Sequence, residues 1–129
     1  MAKIVFCEDE VRIQKLIRTM LRSTLHEVYM ASDGIEGLAL IERERPDLIF
    51  TDVSMPNCDG FQLADTVKAR PHLAQIPIIF VTAFAQRTEI EEGYQHGATS
   101  YLIKPFSPAD LRTKIEAFVN AESLRNSNK

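Results

Sequence analysis

The chain has 129 residues, which against roughly 150 per domain leaves room for one domain, so a separate output domain is not expected. With 45% hydrophobic and 26% charged residues, the composition is that of a globular protein able to bury an ordinary core without metal or disulfide staples, which excludes disorder as the main state. The net charge is −3 and no extended Lys/Arg cluster occurs, so nucleic acid is not expected as a direct ligand. Cys7 and Cys58 have neither metal-ligand nor CxxC spacing and read as reduced thiols of a cytoplasmic protein. The apolar run Ile4, Val5, Phe6, Cys7 meets Glu8 and Asp9 at once, far too short for a secretion signal or for membrane insertion.

In chain order, short apolar runs at residues 3–7, 27–31, 47–51, 76–82 and 101–103 alternate with stretches of helical period. Most of the runs lack polar alternation, the pattern of strands buried on both faces of a parallel sheet. Ile13, Leu16, Ile17, Met20 and Leu21 share one face of a helix expected over 11–25. A second helix opens at Asp33-Gly34 and closes at Arg45-Pro46. A third is expected over 59–70, stopped by Pro71. The fourth, over 88–96, is the weakest, with only Ile90 and Tyr94 as apolar positions, Gly93 inside it and Gly97 as its C-cap. The last carries Leu111, Ile115, Phe118 and Val119 on one face and a clear start signal in Ser107, Pro108 and Asp110. Phe50, Phe80 and Phe118 read as core. Residues 1–121 form the domain, and 122–129 read as a frayed polar tail.

Five β-α alternations define an α/β, doubly wound parallel sheet with helices on both faces. Ligands of such sheets bind at the carboxyl ends of the strands, where strand order reverses. The residues expected there are Glu8 and Asp9 after the first strand, Asp52 after the third, Thr82 and Ala83 after the fourth, and Lys104 with Pro105 after the fifth. Three converging carboxylates repel one another unless a cation joins them, and all-oxygen ligands suit Mg²⁺ or Mn²⁺. A lysine and a hydroxyl across from such acids can hold phosphoryl oxygens, with Asp52 as nucleophile. His26, His72 and His96 share no spacing that would make a metal site.

Lys3-Ile-Val-Phe-Cys-Glu-Asp-Glu10, Thr51-Asp-Val-Ser-Met-Pro-Asn-Cys-Asp-Gly60, Val81-Thr-Ala83 and Tyr101-Leu-Ile-Lys-Pro-Phe106 together resemble the receiver domains of two-component response regulators over nearly the whole chain. The resemblance implies a flavodoxin-like sheet of strand order 2-1-3-4-5 with five helices. It implies Asp52 as phosphoacceptor, Glu8 and Asp9 as Mg²⁺-binding acids with the Ser54 backbone carbonyl, and Thr82 and Lys104 as contacts of the phosphoryl group. Tyr101 is then the switch aromatic that turns inward when Thr82 is drawn to the phosphate, and Lys104-Pro105 is a cis bond. Glu8 stands where aspartate is frequent, and its extra methylene still reaches the metal. Ser100 replaces a frequent acid. Phe84, large and apolar, is expected with Ser54 to flank the phosphoryl group and slow its hydrolysis.

The function expected is a single-domain response regulator. It takes a phosphoryl group from a sensor histidine kinase or histidine phosphotransfer protein and binds a downstream protein through the face from Phe84 to Gly97 with Tyr101, Pro105 and Phe106, as a monomer or phosphorylation-promoted dimer. It is a phosphoacceptor rather than an enzyme acting on a separate substrate. A phosphatase or phosphomutase of the haloacid-dehalogenase type would place a general acid two residues after the nucleophile, where Ser54 stands, and needs more chain for a cap. A flavodoxin-like FMN carrier would need a Ser/Thr/Gly loop where Glu8 and Asp9 repel phosphate.

Overall fold

The computed structural model describes residues 2–83 and 86–127, with side chains through residue 119. Its elements alternate in the order β1 (Lys3–Cys7), α1 (Val11–Leu21), β2 (Glu27–Ala31), α2 (Gly34–Glu44), β3 (Leu48–Asp52), α3 (Gly60–Ala69), β4 (Ile78–Thr82), α4 (Arg87–Gln95), β5 (Ser100–Ile103) and α5 (Pro108–Ser127). The strands form one parallel sheet in the order β2-β1-β3-β4-β5, the doubly wound order expected. Order reverses between β1 and β3, so the carboxyl ends of these two strands open the crevice that such sheets use for ligands.

Period-2 alternation divides the core between the two faces of the sheet. Ile4, Phe6, Leu48, Phe50, Ile79 and Val81 pack against Ile17 and Leu21 of α1 and Leu111 and Ile115 of α5. Val5, Cys7, Ile49, Ile78 and Phe80 pack against Ile41 of α2 and Leu63, Ala64 and Val67 of α3. Phe6 and Phe50, on adjacent strands, stack at 5.0 Å with planes 8° apart. Phe50 and Phe80 are fully buried, while Phe118 is partly buried at the edge of the first cluster. Both cysteines are free, Cys7 buried and Cys58 half-buried.

The helix starts follow the caps read from sequence. Asp33 accepts from the Glu36 N–H at 2.8 Å, Asp59 and Gln62 form a reciprocal capping box, and Ser107 and Asp110 do the same ahead of α5. α1 ends at Leu21 rather than 25. The Thr24 hydroxyl donates to the Leu21 carbonyl at 2.6 Å and the Thr24 N–H donates to it at 3.1 Å, so a local bond competes with helix continuation, and Leu25 is left exposed. β3 begins one residue later than expected: the Asp47 N–H still donates to Lys3 O at 2.7 Å, but the Lys3 N–H is taken by the Asp47 carboxylate at 2.8 Å in place of a backbone carbonyl. The backbone of α5 stays helical through Ser127, into the segment expected to fray, where no glycine or proline interrupts it. α4 is the weakly anchored helix that its sequence predicts. Its N-cap, Gln86, makes no side-chain cap bond, and its one buried residue is Gly93. It ends at Gln95 with His96, rather than Gly97, as C-cap; Gly97 follows with φ of 105°, its N–H donating to Tyr94 O while Ala98 N–H donates to Gly93 O, the paired pattern of a glycine-terminated helix.

Candidate functional site

Asp52 is the last residue of β3 and only 5% exposed. Behind it α3 starts close in: the Gly60 N–H donates to Val53 O at 2.8 Å, and a β-carbon on residue 60 would overlap the Asp52 carbonyl oxygen. Glycine is what lets the helix begin directly under the aspartate.

Glu8 is fully buried and both its oxygens are engaged. Oε2 accepts from the Glu10 N–H at 2.9 Å and Oε1 from Lys104 Nζ at 3.2 Å. The end of β1 is held by Glu8 N–H to Ala31 O at 2.9 Å and by Gln14 Nε2 donating to Glu8 O at 2.6 Å. Lys104 Nζ also lies 2.9 Å from Asp52 Oδ1. Among the described residues that ammonium is the cation facing Asp52 Oδ1, a buried oxygen that no backbone or neutral donor reaches. Glu8, Asp9 and Asp52 each offer a carboxylate oxygen within 4.8 Å of the others, with Asp9 exposed at the rim.

Burial raises the Asp52 carboxyl to about 7; Lys104 opposes the rise and Glu8 adds to it. Burial also raises Asp9, helped by Glu8. Burial pulls the Lys104 ammonium down, but Asp52 and Glu8 outweigh it and hold Lys104 above its ordinary value. Three crowded acids, one of them buried with its charge suppressed, fit a hard divalent cation bound through oxygen.

Around this cluster opens a cleft of about 570 Å³ whose walls include Ser54, Thr82, Tyr101 and Lys104 along with Asp9 and Asp52. The structure therefore brings the expected residues to one place. Thr82 ends β4 at 8% exposure. Tyr101 is tucked under α4, its hydroxyl donating to Glu89 O at 3.2 Å and Ile90 O at 3.1 Å. Lys104-Pro105 is cis. The Ser100 hydroxyl accepts from Lys114 Nζ at 2.8 Å. Phe84 lies outside the described residues. The histidines are apart from the cleft and from one another: His26 accepts from Ala2 N–H, His72 pairs with Glu42 and His96 with Asp65. Phe61, Glu89 and Glu92 also line the cleft and were not anticipated. The i,i+3 spacing of Glu89 and Glu92 was the available signal for a shared helix face, whereas nothing local marks Phe61, which stacks on His96 at 4.7 Å and leans on Phe80 at 5.4 Å.

Residues 4–116 match the family model described as the response regulator receiver domain, and the chain belongs to that family. It is 38% identical over 117 residues to the transcriptional regulatory protein RprY of Bacteroides fragilis, covering 91% of this chain and 49% of that protein. To the transcriptional regulatory protein PdtaR of Mycobacterium tuberculosis it is 39% identical over 119 residues, with 92% and 57% covered. The chain thus spans about half the length of the curated relatives it matches. Among solved structures, chemotaxis protein CheY4 of Vibrio cholerae aligns with a TM-score of 0.87 at 32% identity, covering 92% of this chain and 98% of that one. The receiver domain of sensor histidine kinase PA1611 from Pseudomonas aeruginosa aligns with a TM-score of 0.85 at 33% identity and the same coverage, and it holds a magnesium ion in its active site cleft. No helix among the described residues is long and apolar enough to cross a membrane.

Proposed function

We propose that this receiver domain is a phosphoacceptor switch that takes a phosphoryl group on Asp52 from a sensor histidine kinase or histidine phosphotransfer protein. The observation that carries the reading is the meeting of Glu8, Asp9, Asp52 and Lys104, from three strand ends, around one buried aspartate. An Asp52 carboxylate oxygen attacks phosphorus, and the new P–O bond forms as the bond to the donor imidazole breaks, its electron pair leaving with the donor. Lys104 neutralises charge on the phosphoryl oxygens, and the Thr82 hydroxyl, from the wall of the same cleft, donates to them. Glu8, Asp9, Asp52 and the Ser54 backbone carbonyl would hold Mg²⁺ or Mn²⁺, which when bound adds positive charge beside the transferring group.

The output is a changed protein-binding face. Thr82 moves toward the phosphoryl group, Tyr101 follows, and the weakly anchored α4 repacks. The target docks on α4, Tyr101 and Phe106. In this reading the domain acts in the cytoplasm, monomeric or dimeric on phosphorylation, and catalyses only its own phosphoryl uptake and slow loss. NMR spectra with Mg²⁺ and beryllofluoride, a phosphoryl mimic, test the switch: amide shifts are expected at the cleft and along α4 and β5. Shifts confined to the loops around Asp52 would overturn it.

A further inference from the structure

α4 carries a glycine where β5 drives a large side chain into it. The Tyr101 ring stands edge-on to Phe80 at 5.9 Å and to Tyr94 at 5.5 Å, and its hydroxyl reaches the carbonyls of Glu89 and Ile90. Those carbonyls belong to the helix ladder, where residues 93 and 94 lie one turn on. A phenol that bonds both must lie against the backbone at that turn. A β-carbon on Gly93 would overlap the Tyr101 hydroxyl oxygen and come within 2.8 Å of Cζ. Glycine inside a helix is disfavoured relative to alanine, and α4 already lacks a side-chain N-cap bond. The residue therefore costs the helix stability that the contact with Tyr101 explains. The same ring lines the cleft that holds Asp52 and Thr82, so one side chain touches the site on one side and helix backbone on the other.

We propose that Gly93 is the positioning residue of the switch, its bare backbone forming the seat that holds Tyr101 under α4 and ties the ring's position to that helix. The inference rests on the switch reading above. Burial, with Tyr94, Glu92 and Glu89 nearby, raises the Tyr101 phenol, which gives the seat a spectroscopic signature. Phe80 Cδ2 lies 3.0 Å from the same hypothetical β-carbon, so Phe80 is the rival obstacle and the test separates the two.

Carbon-13 labelling of the three tyrosines, with Tyr101 assigned through Tyr101→Phe, reads the seat by NMR. In Gly93→Ala the Tyr101 ring signal should move toward that of an exposed tyrosine and its phenol should titrate at lower pH than in the parent. Its response to Mg²⁺ with beryllofluoride should fall at least severalfold. An unchanged Tyr101 signal and response in folded Gly93→Ala overturns the proposal. If Gly93→Ala does not fold, Gly93→Ala with Tyr101→Leu decides: recovery places the clash at Tyr101, and continued failure places it at Phe80 and overturns the proposal. Phosphoryl uptake from acetyl phosphate is measured on the parent in parallel. A parent that takes up none defeats the switch reading, while the ring signals still decide whether Gly93 seats Tyr101.

Discussion

Glu8 Oε1 accepts a hydrogen bond from Lys104 Nζ at 3.2 Å, joining the ends of β1 and β5 across 96 positions of sequence. The same ammonium lies 2.9 Å from Asp52 Oδ1. One lysine therefore balances two buried acids, Glu8 and Asp52.

Removing Lys104 leaves the two carboxylates facing each other without a cation. In Lys104→Ala the Asp52 carboxyl should titrate higher than in the parent, measured by carbon-13 NMR. Phosphoryl uptake from acetyl phosphate should continue but slow on the order of 10²-fold, the loss typical of one oxyanion-stabilising donor. The structural response of α4 should weaken as well.

A divalent cation should stabilise the native state, because only there are Glu8, Asp9 and Asp52 held together. At a hundredfold excess over Kd the gain is about 2.7 kcal/mol. Thermal melts with and without millimolar Mg²⁺ check this, and an unchanged Tm counts against the site.

The same acids set a pH dependence. Asp52 is raised from 3.8 to about 7 in the native state, so native protein binds a proton that the unfolded chain releases. Its contribution to stability is fully present below pH 3.8 and is lost as pH rises through about 7. Mg²⁺ competes with that proton, so its affinity and its effect on Tm should grow from pH 6 to pH 8. Calorimetric titration at several pH values measures it.

The core is tested at the centre of the sheet. Phe50 is fully buried and stacked on Phe6, so Phe50→Ala should cost about 3–5 kcal/mol, read by urea denaturation with Mg²⁺ held constant.

Most of the site was legible in the sequence because strand ends are. Apolar runs ending in Glu8-Asp9, Asp52, Thr82 and Lys104 put these residues at one edge of a parallel sheet, and the caps at Asp33, Asp59 and Ser107 located three helix starts by local chemistry alone. Element edges depended on side chains with two choices. Thr24 closed α1 early by bonding Leu21 O, and the Asp47 carboxylate took the Lys3 N–H in place of a backbone carbonyl. The seat of Tyr101 on Gly93 and the place of Phe61 in the cleft wall were not legible, since each depends on how closely two elements far apart in sequence approach. Gly93 could be read only as a weakness in α4.

The central claim is that Asp52 is the phosphoacceptor. Intact-mass and fragment mass spectrometry after incubation with acetyl phosphate and Mg²⁺ tests it most directly. The account predicts one phosphoryl group, acid-stable and base-labile, on Asp52, and none on Asp52→Asn, whose carboxamide is not a nucleophile. A phosphoryl group on another residue such as Ser54, or one that persists in Asp52→Asn, would contradict it.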